Sequence, residues 1–506
     1  MSQPPLPQGP PPSGEFGPPQ YPYQFAAPSG YQPGVPPQQP PGRGGRRHRL
    51  ALMVGGAVTA LALVGVGAWA VTSQSDKTPE RGAAADKKAP KPTPERTSTV
   101  GDVAWQLPAP PAGREVDDPD VTGDGAWLTS KAYVTGTADG VTGYVPATGK
   151  ELWSIPLSGR ICAASRTQTT AGYVAVAYAE GRDVDSRCTD VAVIDLNKGT
   201  ASWQATLPKG ATKGLRMSVA VSGDTVAVGW PGEEHRGGSV GYRISTGKKL
   251  WSAPPSGCAF EEHAGGAELV TISVCGRDSK IGKRDPRTGK LSWRYTAPKG
   301  TTDAWIVSAS PLVVALNTDQ TGYQSGADRL VSLSEGGRVQ ATWETHEEDP
   351  KTKRTRYVAG CGYTQPGCGA VMVSDSTLYM ATIADVSDAN KIIAFDVKTG
   401  KEKWSYKPQS DDAPETIPVQ TEGTGLIVYL AASTSHGSEV VHLTGDGRPK
   451  RLMKREDGLD TQRPEVDMLN SDVRDRPYYA DGRLYLHYSG SYTFSNRPLT
   501  VVLTTT

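Results

Sequence analysis

The six cysteines are the residues of this sequence whose type and spacing say most about chemistry. They are Cys162, Cys188, Cys258, Cys275, Cys361 and Cys368. No two of them are adjacent, and the last two lack both the spacing of a zinc ribbon and a second pair. An even number of cysteines is typical of disulfide bonds in an oxidising compartment. We therefore predict disulfides and no metal-binding or redox-active cysteines.

The histidines and aspartates predict no metal site. The histidines are His48, His235, His263, His346, His436, His442 and His487. No H-x-x-x-H pair occurs among them, and we interpret His436 and His442 as surface residues of one hairpin. The segment from Asp118 to Asp124 resembles the first half of a calcium loop, but Thr129 stands where a bidentate glutamate belongs. We interpret that segment as a solvated turn.

Motifs for catalysis and for nucleic-acid binding are also missing from the sequence. It contains no phosphate-binding loop and no kinase motif set. The formal net charge is +1 at pH 7, so no overall field attracts nucleic acid. We predict no catalytic residue, no cofactor and no nucleic-acid partner.

The first 100 residues form three segments of different composition. Residues 1–49 are rich in Pro and Gln and hold too little apolar surface to offset the entropy of ordering, which predicts a disordered tail. Residues 50–72 include an uncharged run of 22 residues, about 33 Å as a helix, which is enough to cross a membrane once. Residues 73–100, rich in Lys, Pro, Thr and Ala, are predicted to be an extended linker.

The charge distribution around the apolar run predicts the orientation of the chain. Arg43, Arg46, Arg47 and Arg49 cluster immediately before it, so we expect a cytoplasmic N-terminus and an extracytoplasmic remainder at the cell membrane. A cleavable signal peptide that ends after Ala70 is the alternative. The long preceding segment and the length of the apolar run favour the membrane anchor.

From residue 101 onward the chain repeats a unit that ends in a turn followed by tryptophan. Its clearest copy runs from Asp396 through Thr399-Gly400-Lys401 to Trp404. The tryptophans that close the units are Trp105, Trp153, Trp203, Trp251, Trp293, Trp343 and Trp404. In each unit the Asp can accept backbone N–H bonds, the Gly can take a positive φ, and the Trp can fill the gap between sheets. Spacings of 42 to 61 residues suit one four-stranded propeller blade per unit.

The two ends of the array predict how many blades there are. Residues 477–480, 483–488 and 499–504 are predicted strands of a last unit that lacks a tryptophan strand, whereas residues 102–107 are a tryptophan strand that lacks its unit. Joining them closes the ring and protects both sheet edges. With an atypical outer strand near residues 451–453, the predicted fold is all-β: an eight-bladed β-propeller of four-stranded blades over residues 101–506.

The pattern Asp-x-x-Thr-Gly-Lys-x-x-Trp resembles the repeat of the pyrroloquinoline-quinone-like (PQQ-like) β-propellers. The resemblance covers residues 101–506 and implies the fold more strongly than a function. The family includes quinoprotein dehydrogenases, outer-membrane assembly scaffold lipoproteins and extracytoplasmic sensor domains. A dehydrogenase is expected to have a vicinal cysteine pair, which this sequence lacks, and no cysteine precedes Cys162 to carry an N-terminal lipid. The Pro-rich tail and anchor resemble those of membrane-anchored members from high-GC Gram-positive bacteria.

The predicted blades suggest how the cysteines pair. The pairs Cys162–Cys188, Cys258–Cys275 and Cys361–Cys368 each stay within one blade or connector. In an up-and-down blade all six would then lie on one face, together with the long insertions. The insertion over residues 344–369 has segregated charges, and its candidate partner-binding residues are Glu347, Glu348, Asp349, Lys351, Lys353, Arg354 and Arg356.

These features favour a non-catalytic, membrane-tethered module that binds, scaffolds or senses a partner in the bacterial cell envelope. The partner is expected to be an envelope protein or a glycan, bound by loops held on one face of a rigid scaffold. A diverged quinoprotein-type redox enzyme or an envelope hydrolase is the alternative from another functional class.

Overall fold

The computed structural model describes residues from Thr99 to the C-terminal strand, with gaps between strands. The described residues are 99–108, 125–137, 140–183, 186–208, 217–231, 237–253, 258, 260–275, 278–318, 327–346, 357, 370–383, 389–408, 415–432, 436–456, 464–465, 477–488 and 498–505. The predicted tail, the predicted membrane helix and nearly all of the predicted linker lie outside them. Within the described residues, no helix has the length and apolar character that crossing a membrane requires.

The strands form eight antiparallel four-stranded sheets, each of which is one blade of a propeller. Strand β1 is Gly101–Leu107. Blades 1 and 2 comprise β2 (Ala126–Leu128), β3 (Tyr133–Thr137), β4 (Gly140–Tyr144), β5 (Glu151–Pro156) and β6 (Ile161–Ala164), β7 (Tyr173–Ala179), β8 (Cys188–Asp195), β9 (Thr200–Thr206). Blades 3 and 4 comprise β10 (Ser218–Ser222), β11 (Thr225–Trp230), β12 (Gly238–Arg243), β13 (Lys249–Ala253) and β14 (Phe260–Ala264), β15 (Leu269–Cys275), β16 (Asp278–Arg284), β17 (Leu291–Thr296).

The remaining blades follow the same order from inner to outer strand. Blades 5 and 6 comprise β18 (Asp303–Ala309), β19 (Leu312–Asn317), β20 (Arg329–Leu333), β21 (Val339–Glu344) and β22 (Val371–Val373), β23 (Thr377–Ala381), β24 (Ile392–Asp396), β25 (Glu402–Tyr406). Blades 7 and 8 comprise β26 (Thr416–Glu422), β27 (Gly425–Leu430), β28 (Glu439–Leu443), β29 (Pro449–Lys454) and β30 (Tyr478–Ala480), β31 (Arg483–His487), β32 (Thr500–Thr505), β1.

Blade 8 joins the two ends of the domain, which confirms the predicted closure and the eight blades. Strand β1 pairs antiparallel with β32, from Asp102 opposite Thr504 to Leu107 opposite Thr500. The buried Tyr133 hydroxyl of blade 1 lies 3.1 Å from the Thr500 hydroxyl of blade 8. Since β1 is the outer strand of a blade whose other three strands come last in the chain, neither end of the array is left as an open edge.

Each closing tryptophan lies over a turn glycine of the next blade. A Cβ added to Gly149, whose φ is 68°, would lie 2.7 Å from the ring of Trp105, so only glycine fits there without a shift. The corresponding pairs are Trp153–Gly199, Trp203–Gly247, Trp251–Gly289, Trp293–Gly337 and Trp404–Gly447. At Gly400 the nearest atom is Ala341 Cβ at 3.2 Å, and the ring of Trp343 is 4.0 Å away. The indole of Trp251 also donates a hydrogen bond to the Pro286 carbonyl at 2.8 Å. These contacts hold each blade in a fixed position against the next.

Met453 takes the place of tryptophan at the end of blade 7. A Cβ added to Gly101 would lie 2.6 Å from Met453 Cγ, so the first residue of β1 packs there as a turn glycine does elsewhere. The flexible thioether fills the space that an indole fills in the other blades. The predicted atypical outer strand near residues 451–453 is strand β29.

The connections of an up-and-down blade divide the propeller into two faces. We call the face that carries the connections between blades and the loops between second and third strands the connector face. The opposite turn face carries the short turns between first and second and between third and fourth strands. The longest connections, residues 345–370 between β21 and β22 and residues 455–477 between β29 and β30, belong to the connector face.

Candidate binding face

Two disulfides lie at the connector face. Cys162 in β6 is bonded to Cys188 at the start of β8, and Cys258 before β14 is bonded to Cys275 at the end of β15. These are the first two of the three predicted pairs. Each disulfide links the beginning of the first strand of its blade to the region of the loop between the second and third strands. The two disulfides therefore stabilise connections on the same face. The pair Cys361–Cys368 lies outside the described residues and stays a prediction.

The charged insertion of the connector face begins and ends on blades 5 and 6. Glu347, Glu348, Asp349, Lys351, Lys353, Arg354 and Arg356 lie outside the described residues. Before them, the Thr345 hydroxyl donates to the Ala327 carbonyl at 2.7 Å. After them, Tyr357 donates its backbone N–H to the Thr345 carbonyl at 3.1 Å, and its ring packs edge-on against Phe395. The residues on either side of the charged segment 347–356 are therefore held together on the scaffold.

The described residues do not fit a quinone and calcium site. Their four cysteines form bonds across 26 and 17 residues of sequence, so no vicinal pair exists among them. No group of three histidine, cysteine, aspartate or glutamate side chains suited to a metal ion occurs within the described part of the chain. The calcium-like segment from Asp118 to Asp124 lies outside it, as does most of the loop that contains His346. His436 and His442, interpreted as surface residues, are half-buried in and beside β28.

A buried ion pair between blades 3 and 4 is a feature that the sequence analysis missed. Arg284 Nη2 donates to the carboxylate of Glu261 at 3.1 and 3.3 Å, and both side chains are almost fully buried. Ser239 of blade 3 and Ser273 of blade 4 donate to the two carboxylate oxygens at 2.5 and 3.2 Å. The guanidinium also lies 5.2 Å from the centre of the Trp251 ring of blade 3. The pair is thus enclosed by hydrogen bonds from both blades.

His263 extends this network along the inner strand of blade 4. Its Nδ1 lies 2.9 Å from the Thr271 hydroxyl, which accepts a hydrogen bond from Arg284 Nε at 3.1 Å. Because Thr271 accepts from Arg284, its hydroxyl proton is available for Nδ1 of a neutral imidazole. Burial, together with the positive charge of Arg284, lowers the pKa of His263 well below its usual value. The network therefore contains one negative, one positive and one neutral group.

The alternation of β15 explains why the network faces blade 3. Thr271 and Ser273 point to one side of the sheet, and Val270, Ile272 and Val274 point to the other, where they pack against blade 5. The signal in the sequence is the charged inner strand Phe260-Glu-Glu-His-Ala followed by that alternation. The enclosed pair therefore has a structural role at the contact between the two blades.

Comparisons with known proteins found one family model and one curated relative. Residues 97–264 and 277–485 match the family model described as outer membrane protein assembly factor BamB. The chain is 28% identical over 200 residues to serine/threonine-protein kinase AfsK of Streptomyces griseus, a match that covers 38% of this chain and 22% of the kinase. The chain thus matches only about a fifth of that relative's length.

Two of the similar solved structures are propellers with low sequence identity. BamB from Moraxella catarrhalis is 15% identical, with 81% of this chain and 99% of that chain covered and a TM-score of 0.40. Quinohemoprotein alcohol dehydrogenase from Comamonas testosteroni is 12% identical, with 81% and 78% covered and a TM-score of 0.45. Because the family model matches most of the chain in two long segments, the protein belongs to the PQQ-like propeller family described as outer membrane protein assembly factor BamB.

Proposed function

We propose that this protein is a non-catalytic, membrane-tethered scaffold or sensor module that binds an envelope protein through its connector face. The observation that carries the proposal is the position of both disulfides and of the longest connections on that one face of a closed ring. A closed propeller gives such loops a rigid base, which reduces the entropy lost on binding.

The extracytoplasmic location is part of the proposal. Two structural disulfides favour a compartment where thiols are oxidised, and the arginine cluster before residues 50–72 favours an N-terminus inside the cell. The family description, an assembly factor of the outer membrane, names a protein that works with other envelope proteins. It supports protein binding here without naming the partner.

The experiment applies a membrane-impermeant crosslinker to intact cells from which the wall has been removed. The full-length chain is compared with a variant in which residues 346–368 are replaced by a short Gly-Ser linker. The matched control carries the same linker in the turn at residues 423–424, on the opposite face. We expect one specific partner to be crosslinked by the wild type and the control, and to be lost with the connector-face variant.

Two results would contradict the proposal. Crosslinking only after the cells are lysed would place the propeller on the other side of the membrane. Equal capture of the same partner by both linker variants would remove the binding role of the insertion. Thermal melting of the two variants shows whether the ring still folds.

A further inference from the structure

A pocket of about 590 Å³ opens on the turn face between blades 3 and 4. Leu250, Ala267 and Pro286 give it an apolar patch, and Arg243 and Arg287 lie at its rim. Its size lies within the range of small-molecule sites. Because the pocket lies on the face opposite the connectors, what it binds is independent of the function proposed above.

The aspartates that line the pocket are occupied by their own turns. Asp224 accepts the backbone N–H and the hydroxyl of Ser245, both at 2.9 Å. Asp285 Oδ1 accepts the backbone N–H groups of Arg287 and Thr288 at 3.0 and 2.8 Å, and the Thr288 hydroxyl at 2.9 Å. These bonds hold the walls in place and leave one oxygen of Asp285 available to accept a further hydrogen bond.

The two guanidinium groups, in contrast, form no direct ion pair within the part of the chain that the structure describes. The side chains of Arg243 and Arg287 are exposed and form no hydrogen bond or close ion pair with another described residue. Hydrogen bonds from Thr288 and, to a smaller extent, the charge of Arg287 lower the pKa of the Asp285 carboxyl. Two unpaired guanidinium groups at one pocket favour a carboxylate or phosphate, which each can bind through two parallel hydrogen bonds.

Arg243 stands at the first position of its turn, where some blades have an aspartate and blade 1 has Val145. Blades 2, 4 and 6 have an aspartate at this position, namely Asp195, Asp285 and Asp396, and each accepts backbone N–H bonds of its turn. Arg243 cannot do so, and Asp224 from the neighbouring turn replaces that bond. The turn is thus completed without the Arg243 side chain, which leaves its guanidinium group for another contact.

We propose that this pocket binds an anionic sugar. The guanidinium groups of Arg243 and Arg287 would hold its carboxylate or phosphate. The free oxygen of Asp285 would accept a hydrogen bond from a sugar hydroxyl, while the buried Thr225 hydroxyl donates to the Pro286 carbonyl at 3.0 Å and holds the wall in place. Leu250 and Ala267 would pack against the carbon-bound hydrogens of the ring.

Isothermal titration calorimetry of the whole protein tests this with four probes. They are glucuronate, glucose 6-phosphate, glucose and inorganic phosphate. We expect glucuronate or glucose 6-phosphate to bind about tenfold more tightly than both glucose and inorganic phosphate. Which of the two binds more tightly shows whether the ligand is a uronic acid or a sugar phosphate. Arg243→Gln and Arg287→Gln should each weaken that binding about tenfold, because each removes charge-assisted hydrogen bonds.

Arg338→Gln is the matched control, since Arg338 is an exposed arginine in a turn of blade 5 on the same face. It should leave binding unchanged. Absence of binding by both anionic sugars, or binding that survives both pocket substitutions, would overturn the proposal. Inorganic phosphate bound as tightly as the sugars would overturn the assignment to a sugar. Because all three arginines are exposed, we expect unchanged melting temperatures, which exclude unfolding as the cause of weaker binding.

Discussion

The interface between blades 1 and 2 and the interface between blades 3 and 4 join equivalent surfaces with different chemistry. The first is apolar, with Trp127, Val174 and Ile194 fully or almost fully buried. Among the described residues, the apolar cluster of the second has four buried members, Ala220, Ala227, Trp251 and Leu269, three of them on blade 3. Blade 4 contributes the buried Glu261–Arg284 ion pair, and Arg284 stands at the strand position that Ile194 occupies in blade 2.

The two interfaces should differ in how much stability each loses when a single residue is replaced. Apolar packing contributes about 25 cal/mol per Å² and loses stability gradually as groups are removed. A buried ion pair recovers its desolvation cost only while every partner is present. We therefore expect the blade 3–blade 4 interface to be the more sensitive one to a single substitution.

The largest expected effect is that of Glu261→Ala. It leaves the Arg284 guanidinium buried without its counter-charge, which typically costs about 3 to 5 kcal/mol of unfolding free energy. Denaturant unfolding of the protein, followed by tryptophan fluorescence, measures it. As a control, Glu439→Ala removes a pair with Arg451 that is open to solvent, and should cost less than about 1 kcal/mol.

The double substitution Glu261→Met/Arg284→Met then tests whether apolar side chains can replace the ion pair without loss of stability. Because two apolar side chains of similar length need no counter-charge, the double variant should recover most of the stability lost by Glu261→Ala. If the double variant is as unstable as the single one, the ion pair itself contributes stability that apolar packing cannot replace. That result would break the comparison between the two interfaces.

The ring of blades could be predicted from the sequence because it rests on local, repeated signals. The turn from Asp396 to Trp404 shows the cap, the positive-φ glycine and the tryptophan within nine residues, and each has its role in the structure. Closure followed from the incomplete units at the two ends, since an open sheet edge is unfavourable.

The polar interface could not be predicted for a physical reason. Alternation of Thr271 and Ser273 with Ile272 and Val274 normally indicates a strand with one side in water. In a propeller the second strand of a blade is covered on both sides, so the polar side faces the next blade. Which distant residues meet there, such as Ser239 and Glu261, depends on the packing angle of two blades that share no local sequence signal.

The next largest effect concerns pH. Because burial and Arg284 keep His263 neutral, the unfolded chain binds a proton near pH 6.5 that the folded protein does not. The free energy of unfolding should therefore decrease as pH falls below about 6.5, by up to about 1.4 kcal/mol per pH unit from this group. His263→Asn should have a shallower decrease between pH 6.5 and 5 than the wild type. Parallel curves for the two proteins would show that His263 does not contribute.

The smallest effect distinguishes the turns on the two sides of the same interface. Asp224→Ala removes both hydrogen bonds to Ser245 and should cost about 1 kcal/mol in unfolding free energy, because these bonds are exposed to solvent. Arg243→Asp restores the aspartate of the repeat, whose carboxylate could then accept the Ser245 N–H as Asp285 accepts that of Arg287. In the Asp224→Ala variant, Arg243→Asp should therefore recover most of the lost unfolding free energy. In the wild type the same substitution should change the unfolding free energy little, because Asp224 already accepts the Ser245 N–H. Equal effects of Arg243→Asp in both backgrounds would show that the two positions act independently and that Asp224 is not the substitute for the missing aspartate.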